Sequence, residues 1–233
     1  MTATPHAPAA TVTHRTPDAP VTSPKTSPKR VGVFCGARAG KHPQHLRTAE
    51  EFGTALARHG AGLVYGAGGV GIMGALATSA LAAGAPVTGV IPRDLYERER
   101  PDASRGELVV VKTMHERKAL MYRLSAGFAV LPGGFGTMDE FLEVATWNQL
   151  GFHDKPVVLV NCGGFFDPLL AFLDNMVADG YLGPAERAII QVAPDADAAL
   201  ALLGRALRPG PAQIPVGVSA DEGDGAAGTR PRT

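Results

Sequence analysis

Ten residues at 131–140, "LPGGFGTMDE", set three glycines, a threonine and two carboxylic acids directly behind a leucine–proline pair. An apolar run, "GFAVL" (127–131), precedes them, and "FLEVATWNQL" follows with the apolar spacing of a helix. A strand that turns through glycines into a helix gathers backbone N–H groups and a positive helix end at one point, which suits an anion. Gly133, Gly134 and Gly136 leave those amides unobstructed by Cβ atoms, and Thr137 adds a hydroxyl donor. There is no Gly-Lys-Ser/Thr here, so this is no nucleotide-triphosphatase loop; a phosphate monoester fits it.

The acids support two readings. Thr137 to Glu140 satisfies the capping-box spacing, with Glu140 bonding back to the Thr137 N–H and Asp139 favouring the helix dipole. That capping reading is the stronger on spacing alone; the other has Glu140 working on a substrate, with Glu143 one turn further along the same face. The second concentration of chemistry is "TMHERKALMYRLS" (113–125), where Arg117 and Lys118 stand near a helix start. Cations there oppose the macrodipole and ask for a compensating anion. Arg117 is either a bidentate phosphate clamp or part of a solvated face balanced by Glu116. A third stretch, "YGAGGVGIMG" (65–74), matches GxGxxG through Gly66, Gly68 and Gly71. A dinucleotide site would want an acid about 20 residues on. Pro92 and Arg93 stand there instead. The turn, with Gly68 and Gly69 at its tip, serves nucleotide approach or tight strand–helix packing.

These turns need elements to hold them. Nearly all-apolar strands are expected at 30–35, 62–66, 86–91, 107–111, 127–131, 156–161 and 188–192, and helices at 43–59, 70–83, 113–125, 137–149, 166–179 and 194–207. Strands apolar on both faces and alternating with helices predict an α/β fold, a Rossmann-like, doubly wound and mostly parallel sheet flanked by helices. The charged stretch from Pro92 to Arg105 reads as a flexible excursion over the strand ends. Residues 1–29 and 209–233 are rich in Pro, Thr, Ala, Ser and Gly and read as disordered tails. Residues 30–208 remain as one folded unit.

Bulk properties narrow the partners. The 22 basic and 22 acidic residues cancel, so no basic field is available for nucleic acid or an anionic membrane. Cys35 and Cys162 lie far apart with no metal-ligand spacing, which predicts a reduced, cytoplasmic chain and no bound metal. No apolar run reaches the roughly 18 residues of a membrane span.

The string "MHERKALM" followed by "LPGGFGTMDEFLEVATWNQLG" resembles the LOG family, the cytokinin riboside 5′-monophosphate phosphoribohydrolases, many of which were once labelled possible lysine decarboxylases. The likeness extends through "VFCGARAG", "YGAGGVGIMG", "GVIPRDL" and "HDKPVVLVN", and covers essentially 30–206. It implies cleavage of the N-glycosidic bond of a nucleoside 5′-monophosphate, releasing base and ribose 5-phosphate. The implied catalytic residues are Arg117 and Glu140. The implied substrate contacts are Gly133, Gly134, Phe135, Gly136, Thr137, Met138 and Asp139, with Lys118, Thr146, Gly68 and Gly69 near the nucleotide and Glu99 a looser match. The resemblance implies no cofactor, a small-molecule nucleotide as partner, and a homodimer or larger homo-oligomer with its site near the subunit interface. Ala37 and Ala67 depart from the family's usual Cys-Gly-Ser and triple-glycine turns. Two other readings compete: a non-catalytic nucleotide or cofactor carrier on the same scaffold, and pyridoxal-dependent lysine decarboxylation. The latter lacks a recognisable aldehyde-binding context around Lys41, Lys112, Lys118 or Lys155.

Overall fold

The computed structural model describes residues 29–99 and 106–207. In chain order the elements are β1 (Arg30–Phe34), α1 (Pro43–Arg58), β2 (Gly62–Tyr65), α2 (Gly71–Ala82), β3 (Val87–Pro92), α3 (Arg93–Glu99) and β4 (Glu107–Val111). Then come α4 (Met114–Leu124), β5 (Ser125–Val130), α5 (Phe135–Gln149), β6 (Val157–Val160), α6 (Asp167–Ala178), α7 (Pro184–Arg187), β7 (Ile190–Ala193) and α8 (Ala196–Leu207). The strands form one sheet in the order β4-β3-β2-β1-β5-β6-β7, and every pair is parallel. This is the α/β architecture that both-face apolarity predicts.

Strand alternation divides the core. Val31, Val33, Ala129, Leu131, Val158 and Val160 face α1, α2 and α8, where Phe52, Leu56, Leu76 and Leu203 are fully buried. Phe34, Phe128, Val130, Val157 and Leu159 face the other way, against Met121 of α4, Phe141 and Val144 of α5 and Leu173 of α6. Fully burying one such side chain contributes about 1.5–3 kcal/mol. The strand order reverses between β1 and β5, whose chains leave in opposite directions and open a crevice at their carboxyl ends.

Several boundaries differ from the sequence-based expectation. The expected excursion over 92–105 begins as the helix α3; 100–105 lie outside the described residues, as do the tails apart from Lys29. Lys29, placed in the tail by its neighbours, is tied to the fold: its ammonium donates to the Ala206 carbonyl at 3.1 Å. α5 starts at Phe135, two residues before the expected 137, and α4 passes into β5 with no intervening loop. The short α7 has no counterpart in the expected elements.

Candidate active site

Three turns converge where β1, β2 and β5 end. The Gly36 N–H donates to the Pro132 carbonyl at 3.0 Å, and the Met73 N–H donates to the Gly36 carbonyl at 3.1 Å. Gly71 has φ +63°, and a Cβ there would strike the Ala37 carbonyl. Gly68 is buried against Met73, whose sulfur would lie 3.0 Å from an added Cβ. Gly68 and Gly71 therefore serve close packing, while Gly69 sits half-buried at the bend. Ala67 adopts φ +61°, a left-handed conformation unusual for an L side chain. Its methyl packs where Gly89 of β3 makes room.

The turn after β5 leaves its first-turn amides open. Gly134 is the N-cap of α5, and the first intrahelical bond runs from the Met138 N–H to the Gly134 carbonyl at 3.1 Å. The N–H groups of Phe135, Gly136 and Thr137 precede it and have no intrahelical acceptor. Added Cβ atoms at Gly134 and Gly136 would meet nothing within 4 Å, so the space over these amides is open. Gly133 is different: a Cβ there would collide with the buried Thr137 side chain. Phe135 is 97% exposed beside the open amides, and Met138 packs into the core.

This placement overturns the capping-box reading of Thr137 and Glu140. No acid stands in the first turn of α5, and Glu140 lies one turn deeper, on the side facing α4. The capping chemistry belongs to α4. There the Thr113 hydroxyl accepts from the Glu116 N–H at 3.1 Å, and the Glu116 carboxylate accepts from the Lys112 N–H at 2.8 Å. The signal was a second Ser/Thr-x-x-Glu spacing before "RKALM".

Arg117 leaves α4 and reaches across the crevice. Its Nη2 donates to the Gly66 carbonyl at 3.2 Å and stands 3.8 Å from Oε1 of Glu140. Both side chains are nearly enclosed, 11% and 13% exposed, and the buried Arg117 Nε has no partner among the described residues. Gly66 is glycine for a visible reason, since a Cβ would occupy the guanidinium's place. Burial pushes the Glu140 carboxyl up to about 7; Arg117 and Lys118 pull it down, and Asp139 and Glu143 add to the rise. Lys118 bridges Asp139 at 3.2 Å and Glu143 at 3.1 Å. Burial works against its ammonium, but Glu143 and then Asp139 outweigh it and hold its pKa above the ordinary lysine value. Cys35 is buried nearby, and burial, followed by Glu140, raises its thiol pKa far above the ordinary value and disfavours the thiolate.

Beside Glu140 and Glu143 a narrow groove is walled by Phe34, Met121, Tyr122 and Trp147. The aromatic wall and the Gly66 carbonyl were not among the residues singled out from sequence. Thr146 is exposed on α5 six residues past Glu140, about 9 Å along the helix axis. Glu99 closes α3, and its side chain lies outside the described residues. Among the described residues no three His, Cys, Asp or Glu side chains group to hold a metal ion, and no helix is long and apolar enough to cross a membrane.

A family model described as "Possible lysine decarboxylase" matches residues 73–203. The probable cytokinin riboside 5′-monophosphate phosphoribohydrolase LOGL1 of Oryza sativa subsp. japonica is 48% identical over 178 residues, spanning 76% of this chain and 80% of its own. The cytokinin riboside 5′-monophosphate phosphoribohydrolase LOG1 of Arabidopsis thaliana is 46% identical over 72% of this chain and 79% of its own. Among solved structures, the molybdenum cofactor carrier protein of Chlamydomonas reinhardtii superposes with a TM-score of 0.59 at 23% identity, over 77% of this chain and 98% of its own. That likeness is one of fold. Identity at that level over most of both chains, with the family model spanning more than half of this one, places the chain in the LOG family, to which the older description of possible lysine decarboxylases also applies.

Proposed function

We propose that the protein hydrolyses the N-glycosidic bond of cytokinin riboside 5′-monophosphates, with AMP a poorer substrate, releasing the free base and ribose 5-phosphate. The observation that carries this reading is the enclosed Arg117–Glu140 pair, 3.8 Å apart, set one helical turn beyond an open amide cradle. The 5′-phosphate takes the N–H groups of Phe135, Gly136 and Thr137 and the positive end of α5. The ribose then lies toward Glu140. As the C1′–N bond breaks, its electron pair leaves with the base and positive charge builds on the sugar. The Glu140 carboxylate stabilises that charge and takes a proton from the water whose oxygen bonds to C1′. The base leaves with a proton from solvent or a neighbouring donor. Arg117 orients Glu140 and favours its ionised form, and the groove between Phe34 and Trp147 supplies apolar surface for the base.

We read residues 30–208 as one catalytic unit acting in the cytoplasm, consistent with two free, buried cysteines. Leu142, Leu150 and Phe152, exposed on and just after α5, support assembly into a homodimer or larger homo-oligomer beside the groove. The enclosed Arg117–Glu140 pair favours an enzyme over a carrier on the same scaffold.

The direct test incubates purified protein with N6-isopentenyl-AMP and separates products by chromatography. Free base and ribose 5-phosphate in equal amounts are expected; binding with no base released overturns the reading. Gly66→Ala tests the placement of Arg117. The clash falls on the mobile end of a side chain, so the melting temperature should stay within a few degrees. Losing one charge-assisted bond should lower kcat/KM roughly 10- to 100-fold. An unchanged kcat/KM removes Gly66 from the site.

A further inference from the structure

Lys155, on the loop between α5 and β6, is held by its own backbone and grips α4 with its head. Its N–H donates to His153 Nδ1 at 3.0 Å, and its carbonyl accepts from Asn148 Nδ2 at 3.0 Å. Its ammonium donates to the Tyr122 carbonyl at 2.8 Å and stands 3.7 Å from the centre of the Tyr122 ring. Tyr122 sits in the last turn of α4, so a cation there complements the macrodipole as well as the π face. The same ring stacks on Phe128 at 6.0 Å and meets Trp147 edge-on at 5.1 Å. Tyr122 and Trp147 are the aromatic wall of the groove beside Glu140. α4 thus carries Arg117 and Lys118 near one end and is pinned by Lys155 at the other.

We propose that Lys155 is a positioning residue: by gripping the Tyr122 carbonyl and ring it sets the wall against which the nucleobase is held, and so governs nucleotide affinity without touching the reacting atoms. The placement of the base rests on the function proposed above; the grip on Tyr122, and the edge contact of Tyr122 with Trp147, do not.

The surroundings make the grip sensitive to pH. Burial lowers the Lys155 ammonium to about 8, with Asp154 opposing. His153 faces it from the same loop, Tyr122 from α4, Phe128 from β5 and Asn148 from α5. Burial holds His153 below its ordinary value, and burial followed by Asp154 raises Tyr122 above its own. Lys155 is thus the group of this cluster whose charge changes near pH 8. Loss of that charge removes the cation–π contact and weakens the bond to the carbonyl.

Trp147 is the one tryptophan of the chain, so its emission reports on the wall with no need for turnover. In the parent protein it should change with a midpoint near pH 8. Glu140 lines the same groove and changes charge near pH 7, so Lys155→Met should remove only the part of the change centred near pH 8, and Lys155→Arg, charged throughout, should likewise show only the Glu140 part up to pH 10. With N6-isopentenyl-AMP at pH 7, Lys155→Met should raise KM at least tenfold while kcat falls less than threefold, and Lys155→Arg should restore most of the KM. Parental KM in Lys155→Met, or an emission titration in Lys155→Met that superimposes on the parent's from pH 6 to 10, overturns the proposal. A parent that releases no base overturns the function instead and leaves the emission experiment to decide the role of Lys155. If Lys155→Met does not fold, the parent titration and Lys155→Arg decide it.

Discussion

Glu140→Gln should lower kcat by roughly three orders of magnitude while leaving nucleotide binding within a few-fold of the parent. The amide matches the carboxylate in shape, so the contacts that seat the ribose persist. What disappears is the negative charge that answers the cationic sugar and the base that takes a proton from water. The same substitution should stabilise the fold, because the native pKa of about 7 stands above the ordinary 4.5. Between those values the native state binds more protons than the unfolded chain, so the parent loses stability as pH rises from 4.5 through 7. The gap between the two corresponds to about 3 kcal/mol, carried by the charged form above pH 7. Glutamine never acquires that charge. Glu140→Gln should therefore melt several degrees above the parent at pH 8, with the difference vanishing near pH 4.5. Dead and more stable is the signature of an acid buried for chemistry. A variant that turns over normally removes Glu140 from the catalytic role, and one that melts below the parent at pH 8 shows that its burial does not cost the fold.

The sheet was legible because its chemistry is local. Runs such as "PVVLVN" are apolar on both faces, and only a covered parallel strand uses both. α3 was not legible. Arg93 to Glu99 is charged on most positions, and only Leu95 and Tyr96 meet a small apolar cluster with Ile91, Leu108 and Val110. A helix with so narrow an apolar side looks like a loop. The start of α5 was misplaced because Gly134, Phe135 and Gly136 are poor helix formers, whereas an amide cradle needs a first turn free of bulk. That shift of two residues moved Glu140 from a helix cap to an enclosed pair. Single residues at 117 and 140 carry no signal that they meet; they lie on two helices with β5 between them. Only the family resemblance joined them in advance. The Gly66 carbonyl that fixes Arg117 is a backbone atom, and no side-chain pattern announces it.

Arg117→Ala should lower kcat/KM about 100-fold at pH 7, and the loss should shrink as pH rises. Two effects combine. The guanidinium's contacts at the crevice vanish, and one charged hydrogen bond contributes about 1.5–3 kcal/mol. Arg117 is also the largest influence holding the Glu140 pKa down against its burial, so removing it drives that pKa further up. At pH 7 more of the variant then carries a protonated, inactive Glu140. For the parent, kcat/KM should climb with pH through about 7, as the carboxylate forms in the free enzyme. In Arg117→Ala the same climb should sit at higher pH, and activity at pH 9 should recover toward a plateau below the parent's. Arg117→Lys keeps a charge but loses the guanidinium whose Nη2 meets both the Gly66 carbonyl and Glu140, so its limb should lie between the two. The plateau measures what Arg117 gives the substrate, and the displacement of the limb measures what it gives Glu140. A profile displaced without a lowered plateau would make Arg117 solely a keeper of the carboxylate. One superimposing on the parent's would leave it no part in the reaction.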